Sequence, residues 1–183
     1  MTINPHSTTI PGAFFQSGYA VYVVEIKHLS TGAQYFYIGQ TGDANHHTAR
    51  SPFYRMSGHF EYGQSTQNQI FKALCKVLSV DEKADGKVKR EAVEKLLIQS
   101  SVTYHVFRLF DFSYEYEDYD QHHRYRHSTL VVETALLHRF KRKYGDSLLN
   151  TRLNSLNRTP TEQEAEYIIK VVEELERLGI LKL

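Results

Sequence analysis

Ala20-Val21-Tyr22-Val23-Val24 and Phe36-Tyr37-Ile38-Gly39-Gln40-Thr41 are the two runs on which the fold turns. Both are rich in β-branched and aromatic residues, and each sets a tyrosine between apolar neighbours. Ser30-Thr31-Gly32 lies between them, so residues 19–28 and 34–38 are expected as the two strands of a β-hairpin. The first run alternates poorly, which is the pattern of a strand covered on both faces. Val102 to Phe110 does alternate, with Val102, Tyr104, Val106 and Arg108 on one side and Thr103, His105, Phe107 and Leu109 on the other, and supplies a third strand.

Helices fill the remainder. Gln67 to Val80 reads as an amphipathic helix, and a solvated connection over 81–90 leads to a second helix from about Val88 to Gln99. Asp111 to His127 is acidic and crowded with Tyr and His, and reads as a surface loop. Ser128 or Thr129 is placed to cap a helix that runs to Tyr144 and stops at Gly145. Thr161 and Glu164 have capping-box spacing after Pro160, and Ile168, Val171, Val172, Leu175 and Leu178 share one face before Gly179. The expected class is α/β, a small three-stranded mainly antiparallel sheet flanked by helices, in one domain over 1–183.

Composition narrows the function. Hydrophobic content of 41% and charged content of 23% belong to an ordinary folded chain, and no apolar run is long enough to span a bilayer. Residues 1–11 have neither the basic start nor the apolar stretch of a signal peptide, so a cytoplasmic location is expected. The single cysteine, Cys75, has no disulfide partner and is expected in the core. The formal charge of +1 is not that of a protein that coats nucleic acid, yet charge is segregated. From His122 to Lys143 there are six Arg or Lys against Glu133 alone, whereas Asp111 to Asp120 holds five acids and no base. One basic face on a neutral protein is enough to meet phosphates.

Glu133 is the residue whose position asks for an explanation. At 100° per residue it falls near the centre of the stripe made by Leu130, Leu137, Phe140 and Tyr144, with Leu136 at its margin. A carboxylate facing a core needs a cation or firm hydrogen bonds. Either an arginine such as Arg55 or Arg108 pairs with it, or the helix is short and its stripe opens to solvent, or it holds a metal. One carboxylate with waters and phosphate oxygens is a normal shell for Mg²⁺.

With these residues in view, the chain resembles the GIY-YIG nuclease family. Tyr37-Ile38-Gly39 matches the second of the family's two tripeptides, and Ala20-Val21-Tyr22 stands, degenerate, where the first would be. Arg55 with His59 four residues on, the helical Glu133 and Leu149-Asn150 follow in the family's order. The resemblance covers about Gly18 to Asn157, with insertions at 62–101 and 111–127 and the helix 161–178 added. It implies that Tyr22, Tyr37, Arg55, His59, Glu133 and Asn150 form a catalytic site, with Glu133 holding Mg²⁺ or, in its place, Mn²⁺. One tyrosine would help deprotonate the attacking water and the other would position it or a phosphate oxygen, while Arg55 would steady charge on phosphorus. The assignment of base between the tyrosines stays open. Arg55 is preferred to Arg50 because Arg50 has no His four residues on, and Asn154 and Asn157 rival Asn150.

Function follows as expectation. The chain would be a metal-dependent endonuclease acting on double-stranded DNA, most like the family's stand-alone restriction enzymes because no separate DNA-binding domain is apparent. The alternatives are a phage, repair or homing-type nuclease, and a non-catalytic nucleic-acid-binding module. Arg50, Arg139, Lys141, Arg142 and Lys143 are expected phosphate contacts. Cutting both strands calls for two chains, as a homodimer, or for successive nicking; the apolar face of 161–178 is a candidate dimer surface, though packing on its own core is the commoner fate of such a helix. No small-molecule cofactor and no membrane are implied. His123 and His127 at i, i+4, with His46, His47 and His122 nearby, offer a zinc alternative that lacks any cysteine or His-Glu-x-x-His motif.

Overall fold

A computed structural model describes residues 7–44, 46–61, 68–113, 119–153, 155 and 158–181. Three strands form one antiparallel sheet in the order β2-β1-β3: β1 (Gly18–His28), β2 (Gln34–Gln40) and β3 (Ser100–Asp111). The α/β class and the three-stranded antiparallel sheet flanked by helices are as expected. β1 is central and therefore covered on both faces, which is why its sequence hardly alternates. Gly32, at φ 71°, turns the hairpin in a conformation that side chains resist.

The helices form two layers. On one side of the sheet, α4 (Tyr119–Tyr144) and α5 (Glu162–Arg177) pack over Val21, Val23, Phe36 and Ile38. On the other, α1 (Pro52–Ser57), α2 (Gln69–Val77) and α3 (Gly86–Ile98) cover Tyr22, Val24, Ile26 and Tyr37. Alternation along β3 divides as the sequence implies: Val102, Tyr104 and Val106 join the second cluster, Phe107 and Leu109 the first. Cys75 is buried on α2.

Three expectations are corrected. Residues 119–127 are not loop but the opening turns of α4, so Ser128 and Thr129 lie mid-helix instead of capping it. Burial explains this: His122 and Thr129 point inward, and the Thr129 hydroxyl donates to the Tyr125 carbonyl one turn back. The solvated connection before α3 ends sooner than expected, because Asp85 caps the helix at the Lys87 N–H and Gly86 is already helical. Finally, α5 is capped by the Thr161/Glu164 box as expected, but its apolar residues Ile168, Val171, Val172 and Leu175 are spent on this chain's own core, and Leu178 is exposed beyond them. That face is not available to a second copy.

β2 is an edge strand, and residues 148–150 shield it. Leu148 bridges Phe36 in parallel, and the Leu149 N–H donates to the Phe36 carbonyl at 2.7 Å. The segment that follows α4 is thereby pinned to the strand that carries Tyr37.

Candidate active site

A cleft of about 560 Å³ opens beside β2 and draws on both layers. Its lining includes Tyr22, Tyr37, Gly39, Arg55, Glu133 and Asn150. Thus five of the six residues singled out as catalytic meet at one place, from β1, β2, α1, α4 and the segment after α4. The sixth, His59, stands behind Tyr22, buried just beyond the end of α1, with its Nε2 2.6 Å from the Tyr22 hydroxyl.

Strand pairing sets the tyrosines. Tyr22 pairs with Gly39 and Tyr37 with Val24, so the two rings lie diagonally on one face, centroids 6.5 Å apart. A Cβ on residue 39 would fall 2.5 Å from Cζ of Tyr22. Glycine is required there because the Tyr22 ring crosses the neighbouring strand where a side chain would begin. The glycine of the second tripeptide therefore serves the tyrosine of the first. The Tyr37 hydroxyl donates to Gln69 Oε1 at 2.7 Å.

Arg55 is brought in by a short helix whose start the sequence encodes: Ser51 accepts from the Tyr54 N–H and Pro52 occupies the first turn. Its Nε donates to the Gln40 carbonyl at 3.3 Å, which turns the guanidinium toward the end of β2. Arg50 is elsewhere, held by Asp43 at 2.8 Å. Asn150 spends its amide on the strand: Oδ1 accepts from the Ile38 N–H at 2.9 Å and Nδ2 donates to the Ile38 carbonyl at 2.8 Å. It is a clamp that fixes the cleft wall. Asn154 and Asn157 lie outside the described residues.

Glu133 sits on α4 beside the core residues Val132, Leu136 and Leu137, but is half-buried where that stripe opens on the cleft. Among the described residues no ion pair or hydrogen bond engages its carboxylate. Arg108, one of the expected partners, instead donates to the carbonyls of Ala13, Gln16 and Ser17 and to Asp111. Burial pushes the Glu133 carboxyl up to about 7, against the lowering influence of Arg55 and Arg126. Burial likewise pushes the Tyr22 phenol well above its ordinary range, a rise to which Tyr37 and Glu133 add while Arg55 opposes it. Tyr37 is raised for the same reasons, burial first and Glu133 next, with Arg55 opposing. Neither phenol is a base as the site stands; each holds its proton.

Other residues at the site escaped the sequence reading. Gln40, Gln69, Lys72, Thr151 and Arg152 line the cleft. Arg126 lies seven residues before Glu133, hence on the same face of α4, with its stem against Gly42 and its Nε buried without a hydrogen-bond partner. The seven-residue spacing was legible, but it carries meaning only when 119–127 is helical. Arg139, Lys141, Arg142 and Lys143 lie exposed on the last turns of α4 and do not line the cleft; Lys141 is tied to Asp146 and Lys143 sits over the Tyr144 ring.

As a metal site, the donor set is a single hard oxygen ligand, since among the described residues no three His, Cys, Asp or Glu side chains gather to hold an ion. His127, from the zinc alternative, faces Arg158, and His122 is bonded to Tyr19 and to the Asp43 carbonyl. A half-buried carboxylate that opens on this cleft and makes no ion pair or hydrogen bond among the described residues fits a hard divalent cation that keeps most of its shell as water and substrate oxygens. Among the described residues no helix is long and apolar enough to cross a membrane. Comparison with known proteins adds no relative: no family model, no curated protein and no solved structure matches the chain.

Proposed function

We propose that this chain is a metal-dependent DNA endonuclease of GIY-YIG type, a phosphodiester hydrolase, and within that class a sequence-specific restriction enzyme. The observation that carries the reading is Glu133: a half-buried carboxylate that lines the cleft with Tyr22, Tyr37 and Arg55 and has no ion pair among the described residues. At a half-buried place beside the core a leucine would spare the cost of desolvating the charge, so the carboxylate is there for what it binds. Arg55, Lys72 and Arg152 make the rest of the lining suit an anionic backbone.

Glu133 would hold Mg²⁺ or Mn²⁺, which when bound supplies positive charge beside the leaving 3′ oxygen. The chain's own groups divide the remaining work. Arg55 grips the scissile phosphate and balances the charge that grows on its oxygens. Tyr37, whose proton is committed to Gln69, presents its oxygen lone pairs to the cleft as an acceptor that orients the attacking water. Tyr22 is the proton conduit: in the tautomer in which Nε2 of His59 is the acceptor, the hydroxyl passes its proton inward as it takes one from the water, so no free phenolate forms. Asn150 keeps β2 and the cleft wall in register.

The raised phenols favour one other reading, a nucleic-acid-binding module that no longer cuts. Plasmid and phage DNA incubated with Mg²⁺ or with chelator, beside Glu133→Gln, separates the two. Discrete metal-dependent fragments whose rate of formation falls by roughly 10³-fold in the variant are expected. Smears or nicks would keep the nuclease but remove the restriction role, and binding without cleavage would overturn the enzyme.

A further inference from the structure

A second cavity, of about 470 Å³, lies against the catalytic cleft between α2 and α3. Gln69, Lys72 and Thr151 line both, so the two form one groove that leaves the cleft across α2. Lys72, Lys76 and Lys89 stand along it, over an apolar floor of Phe71, Val80 and Leu149. Glu82 is its one acid among the described lining residues, and the Glu82 carbonyl accepts from the Lys89 ammonium at 2.6 Å. Lys72 and Lys76 follow one another by a single helical turn, about 6 Å along the axis, and both are exposed. Among the described residues neither has an ion pair, whereas Lys141 on α4 is neutralised by Asp146.

We infer that this groove is the track of the DNA backbone beyond the scissile phosphate, with Lys76 and Lys89 as its phosphate contacts. The inference rests on the nuclease reading for the identity of the polyanion. Basic residues on an open groove continuous with a cationic cleft are what a phosphate chain needs. Their flexible ammonium groups hold it without reading sequence. The basic end of α4 is off this path, because its cations surround the helix and none lines the cleft.

Binding of a 30-base-pair duplex, measured against salt in the cleavage-silent Glu133→Gln background, tests the track. Adding Lys76→Ala and Lys89→Ala should make the slope of log affinity against log salt shallower by about 2, equally for unrelated sequences. Adding Arg139→Ala and Arg142→Ala should leave that slope as it was. An unchanged slope for the lysine pair, or a drop confined to the α4 pair, overturns the track. Cleavage by the unsubstituted protein, run alongside, keeps the two ideas apart: a cutting enzyme with no lysine effect loses only the track. A parent that neither cuts nor binds loses both.

Discussion

At the start of α5, Glu164 is buried yet fully partnered. Its oxygens accept from Arg158 at 2.6 and 2.8 Å, from Ser128 at 2.9 Å and from the Thr161 N–H at 2.8 Å. In the middle of α4, Glu133 is half-buried, and Arg55 and Arg126 act on it without a hydrogen bond or ion pair among the described residues. The outcomes are opposite. Burial alone would raise Glu164, but Arg158, Thr161 and Ser128 reverse that and hold it down at about 2, whereas Glu133 rises to about 7. A carboxylate whose partners are built in belongs to the fold. One whose partners are withheld is available for something that arrives from outside.

Opposite substitution effects are the sharpest test of that contrast. Glu164, lowered on folding, contributes stability that is complete above about 4.5 and is lost as pH falls toward 2. Glu133, raised on folding, makes the protein lose stability as pH rises from about 4.5 to about 7. At pH 8, Glu164→Gln should therefore cost about 2 to 3 kcal/mol, and Glu133→Gln should gain about 2 kcal/mol. Urea unfolding from pH 3.5 to 8 reads both. The Glu133→Gln gain should vanish near pH 4, and Mg²⁺ should raise the stability of the parent but not of Glu133→Gln. A loss of stability in both variants at pH 8 would erase the distinction between the two sites.

Much of the arrangement was legible because local rules and global packing agreed. The hairpin, the alternation of β3, the capping box at Thr161 and the misplaced charge at Glu133 each follow from spacing alone. The opening of α4 was not legible. Tyr119 to His127 is polar, acidic at its start and rich in histidine, and its helix is stabilised by tertiary contacts: the Tyr19 hydroxyl on His122 and the Phe110 ring stacked on Tyr125 at 4.2 Å. Arg126 was hidden with it. Gln69 and Lys72 were hidden differently, since a polar residue on an amphipathic helix carries no mark of which cleft it borders.

A smaller effect is expected at Gly39, and it asks whether the condition of Glu133 belongs to the whole site. Gly39→Ala forces the Tyr22 ring off the strand and away from His59, at a cost of about 1 to 3 kcal/mol for the crowding. Cleavage should fall at least as far as in Tyr22→Phe, and combining the two should cost less than their sum, because both act on one hydroxyl. Full additivity in rate would show that the glycine matters for strand packing alone. The acid limb of stability, which belongs to Glu164, should stay where it is.

Arg126 offers the finest adjustment. It is a positioning residue that lowers the Glu133 carboxyl from the same face of α4, so Arg126→Ala should let that carboxyl rise above about 7. The sign is fixed: a cation removed from beside a carboxylate favours the protonated form. Because a raised carboxyl costs stability only above its unfolded value, the falling limb should then extend to higher pH, by up to about one unit. Arg126→Lys keeps the charge and should restore most of the shift. A carbon-detected NMR titration of Glu133 reads this directly, without DNA or metal. If the midpoint stays unmoved in Arg126→Ala, Glu133 is raised by burial and relieved by Arg55 alone, and the comparison with Glu164 reduces to one missing arginine.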